Sequence, residues 1–418
     1  MSKTVGRMGL GFAAVGACAV ALTVGSVSLA AVSSQSSAHA AATKACPNPA
    51  KGSPVTWWQL GDENPQQNPT PENLVAAKLA ATRINCSGGV AGHVLKVPAC
   101  NSLADPNRAA ACAKKAAEDK TTLAVWVFSQ QAKVIYPILA KAKLAVVAPE
   151  ALQPLEYQYP RTFAVAAGFQ GLATGDAIFA HKLLGAKKVS VVTANCVPCQ
   201  GLPDLIAGGI KAAGYSASQL SLTKSVYFPF DVTDMSSYAQ QGADGVDAIM
   251  CFCGRSFTVR FVQTARRLGI KTPILAVDDN VPPSDAKAMG SAGKDVYFSG
   301  HYDWNNAESR MYRALMLKAK ADPTGTAQSA WIGAKMLQDA GKQAQAKYRA
   351  VNSANLQKVM NSWTKYSTGG QTPPLDYKAL PWKGSGGQLP RMVNRTVTFF
   401  EVVNGKLVQK SSFATVVK

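Results

Sequence analysis

The sequence is poor in histidine and contains none of the common nucleotide-binding or hydrolase motifs. Only four of its 418 residues are histidine, and His93, His181 and His301 are far apart in the sequence. A zinc cluster or a histidine-based catalytic triad therefore has little to build on. A P-loop, a G-x-S-x-G elbow and a G-x-G-x-x-G fingerprint are also missing. We expect no cofactor and no metal ion, and the sequence does not favour an enzyme.

Acidic residues are also scarce, with 24 Asp and Glu against 44 Lys and Arg, which gives a formal charge of +20. The basic residues are scattered singly, and no arm or helix collects them. A nucleic-acid partner is therefore not predicted. The charge fits an exported protein that works among anionic envelope polymers or near lipid head groups.

The N-terminus predicts a signal peptide over residues 1–40. Lys3 and Arg7 precede the uncharged residues 8–32, and Ala38-His39-Ala40 is a small-x-small cleavage site. The apolar run could instead span a membrane. Cys18, which follows Val15-Gly16-Ala17, loosely resembles a lipidation site. We expect export to the periplasm, the cell wall or the medium, with attachment to the outer face of the membrane as an alternative.

Removal of the first 40 residues would leave 378 residues with a formal charge of +18. This length suits two domains. Eight cysteines remain, and an even number in an exported protein predicts disulfides. We expect Cys46 to pair with Cys86 and Cys100 with Cys112. Cys196 and Cys199 are expected to bridge to Cys251 and Cys253, or Cys196 to pair locally with Cys199.

Short apolar strands alternate with amphipathic helices along most of the chain, which predicts parallel sheets covered by helices on both faces. The predicted strands are 54–60, 93–100, 123–128, 143–149, 188–194, 247–252, 273–279 and 295–300, and the helices include 71–84, 107–118, 171–184, 205–213 and 258–268. In such sheets ligands bind beyond the carboxyl ends of the strands. Toward the C-terminus, 367–387 is predicted as a long loop, and Asn404-Gly405 predicts a hairpin between 396–403 and 406–412.

Several segments, in this order, resemble the type I solute-binding proteins of ABC transporters, specifically the branched-chain amino-acid-binding group. They are INCSGGVAGHVLKV (84–97), DPNRAAACAKKAAED (105–119), LLGAKKVSVVTA (183–194), DMSSYAQQGADGVDAIM (234–250) and FVQTARRLGIKTPILAVDD (261–279). The resemblance covers about residues 55–345.

The resemblance implies an α/β fold of two Rossmann-like lobes with parallel sheets, joined by a hinge. The expected first lobe is 41–165 plus 303–350, and the second is 166–302 plus 351–418. Crossover segments are expected near Arg161–Gly168, near His301–Asn305 and near residue 350. The implied function is capture of a small amino acid or related carboxylate in the cleft, for delivery to the permease subunits of an ABC transporter. We expect a monomer.

The resemblance also implies ligand anchors at the strand ends. Ser129, followed by Gln130, matches the family's serine for the ligand carboxylate, although a serine there can simply cap a helix. Asp279 matches the acid for the ligand ammonium, or it caps the next helix. Glu150 and Ala151 lie in a further cleft loop, where Leu152 stands in place of the family's threonine.

Two more residues are candidates for the cleft. Arg255 stands near the position of a family aromatic, and it either binds a second carboxylate or is a solvated cation at a helix start. Trp57 and Trp58 point to opposite faces of their strand, so at most one of them lines the cleft; we name Trp57.

Two alternatives to the amino-acid receptor stay open at this point. Leu152 and Arg255 suggest a receptor for aromatic or other carboxylic acids. The Cys196-Val-Pro-Cys199 motif lies between a strand and a helix, as in thiol–disulfide oxidoreductases.

Overall fold

The computed structural model describes residues 46–63, 70–277, 281–383 and 388–417, without the side chains of 197 and 198. The chain divides into two units, Met1–Cys46 and Pro47–Lys418, and the architecture below is that of the second. The predicted signal peptide and Cys18 lie outside the described residues. Within the described ranges, no helix is long and apolar enough to cross a membrane.

The first half of the chain forms a parallel sheet. Its strands are β1 (Gly52–Gly61), β2 (His93–Lys96), β3 (Ala99–Asn101), β4 (Thr122–Phe128), β5 (Ala145–Val147) and β6 (Thr162–Phe163), in the order β2-β1-β4-β5-β6 with β3 also paired to β1. The connecting helices are α1 (Glu72–Asn85), α2 (Pro106–Glu118), α3 (Ala132–Lys141) and α4 (Pro154–Gln158). Burial of β4 over its whole length explains why its sequence is a continuous apolar run.

A second sheet follows, with the strand order β13-β12-β11-β10-β9-β7-β8. Its strands are β7 (Lys188–Ala194), β8 (Ser221–Phe228), β9 (Ala248–Phe252), β10 (Ile274–Val277), β11 (Val296–Gly300), β12 (Thr396–Val403) and β13 (Lys406–Thr415). Its helices are α5 (Gly168–Leu184), α6 (Val197–Gln200), α7 (Leu202–Ala212), α8 (Ser236–Ala243), α9 (Arg255–Arg267) and α10 (Pro283–Met289). The strands from β7 to β11 are parallel, and the predicted Asn404-Gly405 hairpin adds β12 and β13 as antiparallel strands.

The chain returns to the first sheet through α11 (Ala307–Lys318), α12 (Gly325–Tyr348) and α13 (Ser353–Asn361). Side chains as late as Tyr377 belong to the same buried cluster as β1 and β4. The expected return to the second lobe at residue 351 is therefore wrong, because apolar residues of α13 are buried against the first sheet. The third crossover lies between Tyr377 and β12, since Leu389 and Met392 pack in the second lobe's core.

Hydrogen bonds hold the crossover segments together. Tyr377 Oη donates to the carbonyl of Ala164 at 2.7 Å, and Asn394 Nδ2 donates to that of Val165 at 2.9 Å, which joins the third segment to the first. Thr398 Oγ1, at the start of β12, donates to the carbonyl of Tyr302 in the second segment at 3.1 Å. A joint of three adjoining segments between two α/β lobes is the arrangement that permits hinge closure.

The disulfides confirm one expected bridge and decide between two alternatives. Cys100 is bonded to Cys112, as predicted, with the Cα atoms 5.5 Å apart. In the second lobe the bridges are local, Cys196–Cys199 and Cys251–Cys253, so the prediction of bridges between the two loops is wrong. Two cysteines that are two or three residues apart are already close enough to bond within one loop. Cys46 and Cys86 are both disulfide-bonded, and their pairing with each other stays a prediction.

A buried carboxyl at the start of α4 makes stability depend on pH. Glu156 is fully buried, and its Oε1 accepts hydrogen bonds from the backbone N–H groups of Leu152 (2.8 Å) and Gln153 (2.9 Å). Burial raises its pKa from 4.5 to about 8 and outweighs these bonds, which act to lower it. Between these two values the folded state holds a proton that the unfolded state releases, so stability falls as pH rises.

We expect the substitution Glu156→Gln to remove part of this dependence, because glutamine keeps an acceptor oxygen and cannot ionise. Urea titrations at several pH values between about 5 and 8 should show a flatter decline for the variant than for the wild type. The exposed Glu118→Gln is the matched control. Equal slopes for all three proteins would contradict the assignment.

Candidate functional site

Several buried polar side chains of the first lobe follow the carboxyl ends of its strands: Asp62 after β1, Ser129 after β4 and Glu150 after β5. In the second lobe Arg255 follows β9. Because parallel strands end at one edge of a sheet, side chains from neighbouring strands meet there.

Asp62 directly follows β1, and its carboxylate lies next to the first residues of the loop between β4 and α3. Its Oδ1 accepts from Ser129 Oγ at 2.6 Å and from Ser102 Oγ at 2.5 Å. Its Oδ2 accepts from the backbone N–H of Gln130 at 2.5 Å. Ser129 is 1% exposed and Asp62 9%. The hydroxyl and amide that were expected to hold a ligand carboxylate therefore hold a carboxylate of the chain itself.

Ser129 Oγ donates to Asp62 and also accepts from the N–H of Gln131 at 3.0 Å, two residues further on and ahead of α3. Gln131 is the residue that caps α3, and no side chain accepts a capping bond there. The role of Ser129 as a ligand anchor stays a prediction. Burial raises the pKa of Asp62, and it outweighs the hydrogen bonds from Ser102, Ser129 and Gln130, which lower it. Gln130 itself is half-buried, and its carbonyl accepts from Gln153 Nε2 at 2.9 Å.

The loop after β5 reaches the joint between the lobes. Glu150 Oε1 lies 2.7 Å from Nε2 of His301, which follows β11 in a crossover, and both side chains are buried. Glu150 Oε2 is buried and has no hydrogen-bond partner among the described residues. Ala151 is fully buried, and its carbonyl accepts from the N–H of Phe169 at 2.9 Å. It adds no exposed side chain to a cleft.

Arg255, the first residue of α9, joins the two lobes. Its Nη1 donates to Glu72 of α1 at 2.9 Å, and its Nη2 donates to Asp322, between α11 and α12, at 2.6 Å. Its Nε lies 3.4 Å from Asp285 of its own lobe. Burial lowers the pKa of the guanidinium, but the three carboxylates outweigh burial and raise it. Ser284 adds a further bond to Asp322 at 2.7 Å.

The alternative of a solvated cation at a helix start is wrong for Arg255, because carboxylates of the protein bond its guanidinium. Its use for a ligand carboxylate stays a prediction. Trp57 is also misplaced: its indole is 0% exposed and packs against Gly333 of α12, where an added Cβ would lie 2.8 Å from the ring. Trp57 lies in the middle of β1, away from the strand end, and its ring is therefore part of the core of the first lobe. Asp279 lies outside the described residues.

Sequence reasoning missed Asp62, Glu72 and Asp322 as parts of this region. The signal for Asp62 was available, since an acid directly follows the strand that ends in Gly61. Glu72 lies in the first turn of α1, where an acid also favours a helix start. The described residues contain no group of three or more side chains suited to a metal ion.

Comparison with known proteins gives one family and many structures of the same fold. The model of the family described as "Periplasmic binding protein" matches residues 65–389. No curated protein sequence matches the chain.

Three solved structures illustrate the similarity, and at their low identity each speaks for the fold alone. A leucine binding protein, LivK, from Thermotoga maritima has a TM-score of 0.68 at 18% identity, covering 85% of this chain and 98% of its own. A fatty acid ABC transporter substrate-binding protein from Thermomonospora curvata has a TM-score of 0.72 at 15% identity, covering 88% of this chain and 94% of its own. An ABC transporter solute binding protein from R. palustris, in complex with benzoate, has a TM-score of 0.69 at 15% identity, covering 87% of this chain and 97% of its own.

Proposed function

Because the chain belongs to the type I periplasmic binding protein family, we propose that it is the extracytoplasmic receptor of an ABC importer. In this role it takes up one small molecule between its lobes and presents it to the permease. The observation that carries the proposal is the pair of α/β lobes, joined by three adjacent crossovers and bridged at their strand ends by Arg255. A ligand that touches both lobes stabilises the closed form by its difference in affinity for the two states.

The finer expectation of an amino acid or related carboxylate needs a carboxylate anchor and an ammonium anchor. Ser129, the proposed carboxylate anchor, already bonds Asp62, and Asp279 is outside the described residues. Relatives of this fold are named for leucine, for fatty acids and for benzoate, so the fold itself admits several chemistries. We therefore propose a small-molecule receptor, with its ligand class argued separately below.

The test is a thermal-shift screen of amino acids, carboxylic acids, amines and sugars on the exported protein. A compound that binds only the folded state at 100 times its Kd adds about 2.7 kcal/mol of stability. We expect at least one compound to raise Tm, to bind one per chain by calorimetry and to reduce the radius of gyration in solution scattering. A saturating ligand that leaves the scattering curve unchanged would contradict a closing receptor.

A second candidate is a thiol–disulfide oxidoreductase, and the local Cys196–Cys199 bridge is the observation that favours it. Cys196 is half-buried and Cys199 buried, at the end of β7. Reduction of insulin disulfides in the presence of a thiol donor tests this activity. Wild-type protein whose reductase activity does not exceed that of Cys196→Ser would count against this second candidate.

A further inference from the structure

From the contacts of Asp62 we infer that the first-lobe end of the cleft selects a ligand with a cationic, hydrogen-donating nitrogen and rejects a ligand carboxylate. The inference rests on the proposed receptor function and names the chemical class of its ligand. We call Ser129 Oγ and the backbone N–H of Gln130 the Ser129 subsite. The inference follows from three observations: a carboxylate of the chain already occupies this subsite, nearby carboxylate oxygens have room for further donors, and Arg255 is bonded to carboxylates of the protein.

The first observation is that the anion subsite is filled from within the chain. Two hydroxyl groups and one backbone N–H converge on the carboxylate of Asp62, at 2.5–2.6 Å. A ligand carboxylate could use Ser129 and the N–H of Gln130 only by displacing this group. If it came to lie beside Asp62 instead, two like charges would meet in a site that is largely withdrawn from water, which is unfavourable.

The second observation is the surplus of acceptors. An ionised carboxylate offers about four lone-pair positions, and Asp62 uses two on Oδ1 and one on Oδ2. The remaining position on Oδ2 suits a donor from outside the chain. Glu150 Oε2 is a second buried carboxylate oxygen at the strand ends of the same lobe, and no described residue donates to it. Buried acceptors of this kind cost stability until a donor reaches them.

The third observation concerns the positive charge. Arg255, the arginine that was expected to bind a ligand carboxylate, bonds Glu72 and Asp322 and lies 3.4 Å from Asp285. Recruiting it for a ligand would break these hydrogen bonds to the carboxylates of the protein. The described strand ends therefore favour a ligand that brings positive charge, such as an ammonium or an amidinium group.

The experiment has a part that needs no knowledge of the natural ligand. In Asp62→Ala, the two serine hydroxyls and the N–H of Gln130 lose their acceptor, and we expect Tm to fall. Added sodium acetate should restore part of this loss, because acetate supplies the missing carboxylate, whereas sodium chloride should not. Wild type should gain nothing from acetate. The matched control is Asp119→Ala, which removes another carboxylate of the first lobe that accepts from hydroxyls and from Trp58.

The second part compares ligands in matched pairs: benzylamine or benzamidine against benzoate, and leucinol against 4-methylpentanoate. We expect wild type to be stabilised by the nitrogen cations and not by the carboxylates. In Asp62→Asn the affinity for the cations should fall about tenfold or more, which is the loss of one hydrogen bond to a charged group. Asp119→Asn should keep the wild-type preference.

The outcomes separate this inference from the receptor function. Carboxylates that bind wild type more tightly than the matched cations would overturn the inference and leave the receptor intact. If no probe binds wild type, the acetate experiment is the test. Recovery of Tm by acetate in Asp62→Ala alone supports the inference, and no recovery of Tm overturns it. A ligand of any class that binds without closing the lobes would count against the proposed function and not against Asp62.

Discussion

Replacing Arg255 with methionine is expected to lower the free energy of unfolding by about 3 kcal/mol and to let the lobes separate. Methionine keeps much of the apolar stem but removes the guanidinium that bonds Glu72 and Asp322. Glu72 is 3% exposed in its side chain and Asp322 20%. Breaking a buried pair from one side costs about 3–5 kcal/mol, and the partial exposure of Asp322 and Asp285 puts this site near the lower end.

Urea denaturation and solution scattering check this expectation. The matched control is Arg266→Met, because Arg266 lies in the same helix but donates to backbone carbonyls of its own lobe, those of Ile270 and Lys294. Both variants lose stability, but only Arg255→Met should show a larger radius of gyration without ligand. Equal scattering from the two variants would mean that the ion pairs do not hold the lobes together. Because the proposed ligand closes the same lobes, Arg255→Met should also weaken its affinity.

Replacing His301 with alanine should have an effect of similar size at the joint between the lobes. The imidazole is 0% exposed and the side chain of Glu150 2%. Without the imidazole, Glu150 keeps a carboxylate in a buried place and loses its partner at 2.7 Å. We expect a loss of about 3–5 kcal/mol in the free energy of unfolding, as for other buried pairs that lose one member.

Two further variants separate the lost pair from simple loss of packing. His301→Gln places an amide near Nε2 and should recover a large part of the stability, since an amide also donates to a carboxylate. His181→Ala removes a half-buried imidazole within the second lobe, where Nδ1 contacts the carbonyl of Ala186 at 2.8 Å, and should cost less. If His301→Gln unfolds as easily as His301→Ala, the pair with Glu150 is not the source of the stability.

Most of the secondary structure could be predicted from the sequence, because its causes act over short distances along the chain. The N-terminal start of α1 follows from Thr70-Pro71-Glu72, and β1, β4 and β7 follow from short apolar runs. The hairpin of β12 and β13 follows from Asn404-Gly405, whose positive φ angles of 50° and 71° suit a tight turn. Alternation of these elements was enough to predict two parallel α/β sheets, and the resemblance supplied the family.

The site was less predictable, because its contacts join residues that are distant in sequence. Asp62 and Ser129 are 67 residues apart, Glu150 and His301 151, and Arg255 and Glu72 183. A pattern can place Ser129 at a helix start, but not show that another strand end brings a carboxylate to it. Arginine is a residue type that binds carboxylates, but only the packing of the two lobes decided that carboxylates of the protein bond Arg255.

The sequence by itself thus determined the elements and the fold class, since hydrogen bonding within a turn and burial along one face are local. The tertiary structure alone decided three things: the third crossover beyond Tyr377, the filling of the Ser129 subsite by Asp62, and the linkage of the lobes through Arg255. Each depends on which surfaces pack together after the sheets have formed. The free energy of that packing comes from desolvated charges and close-packed side chains, which a local sequence pattern does not show.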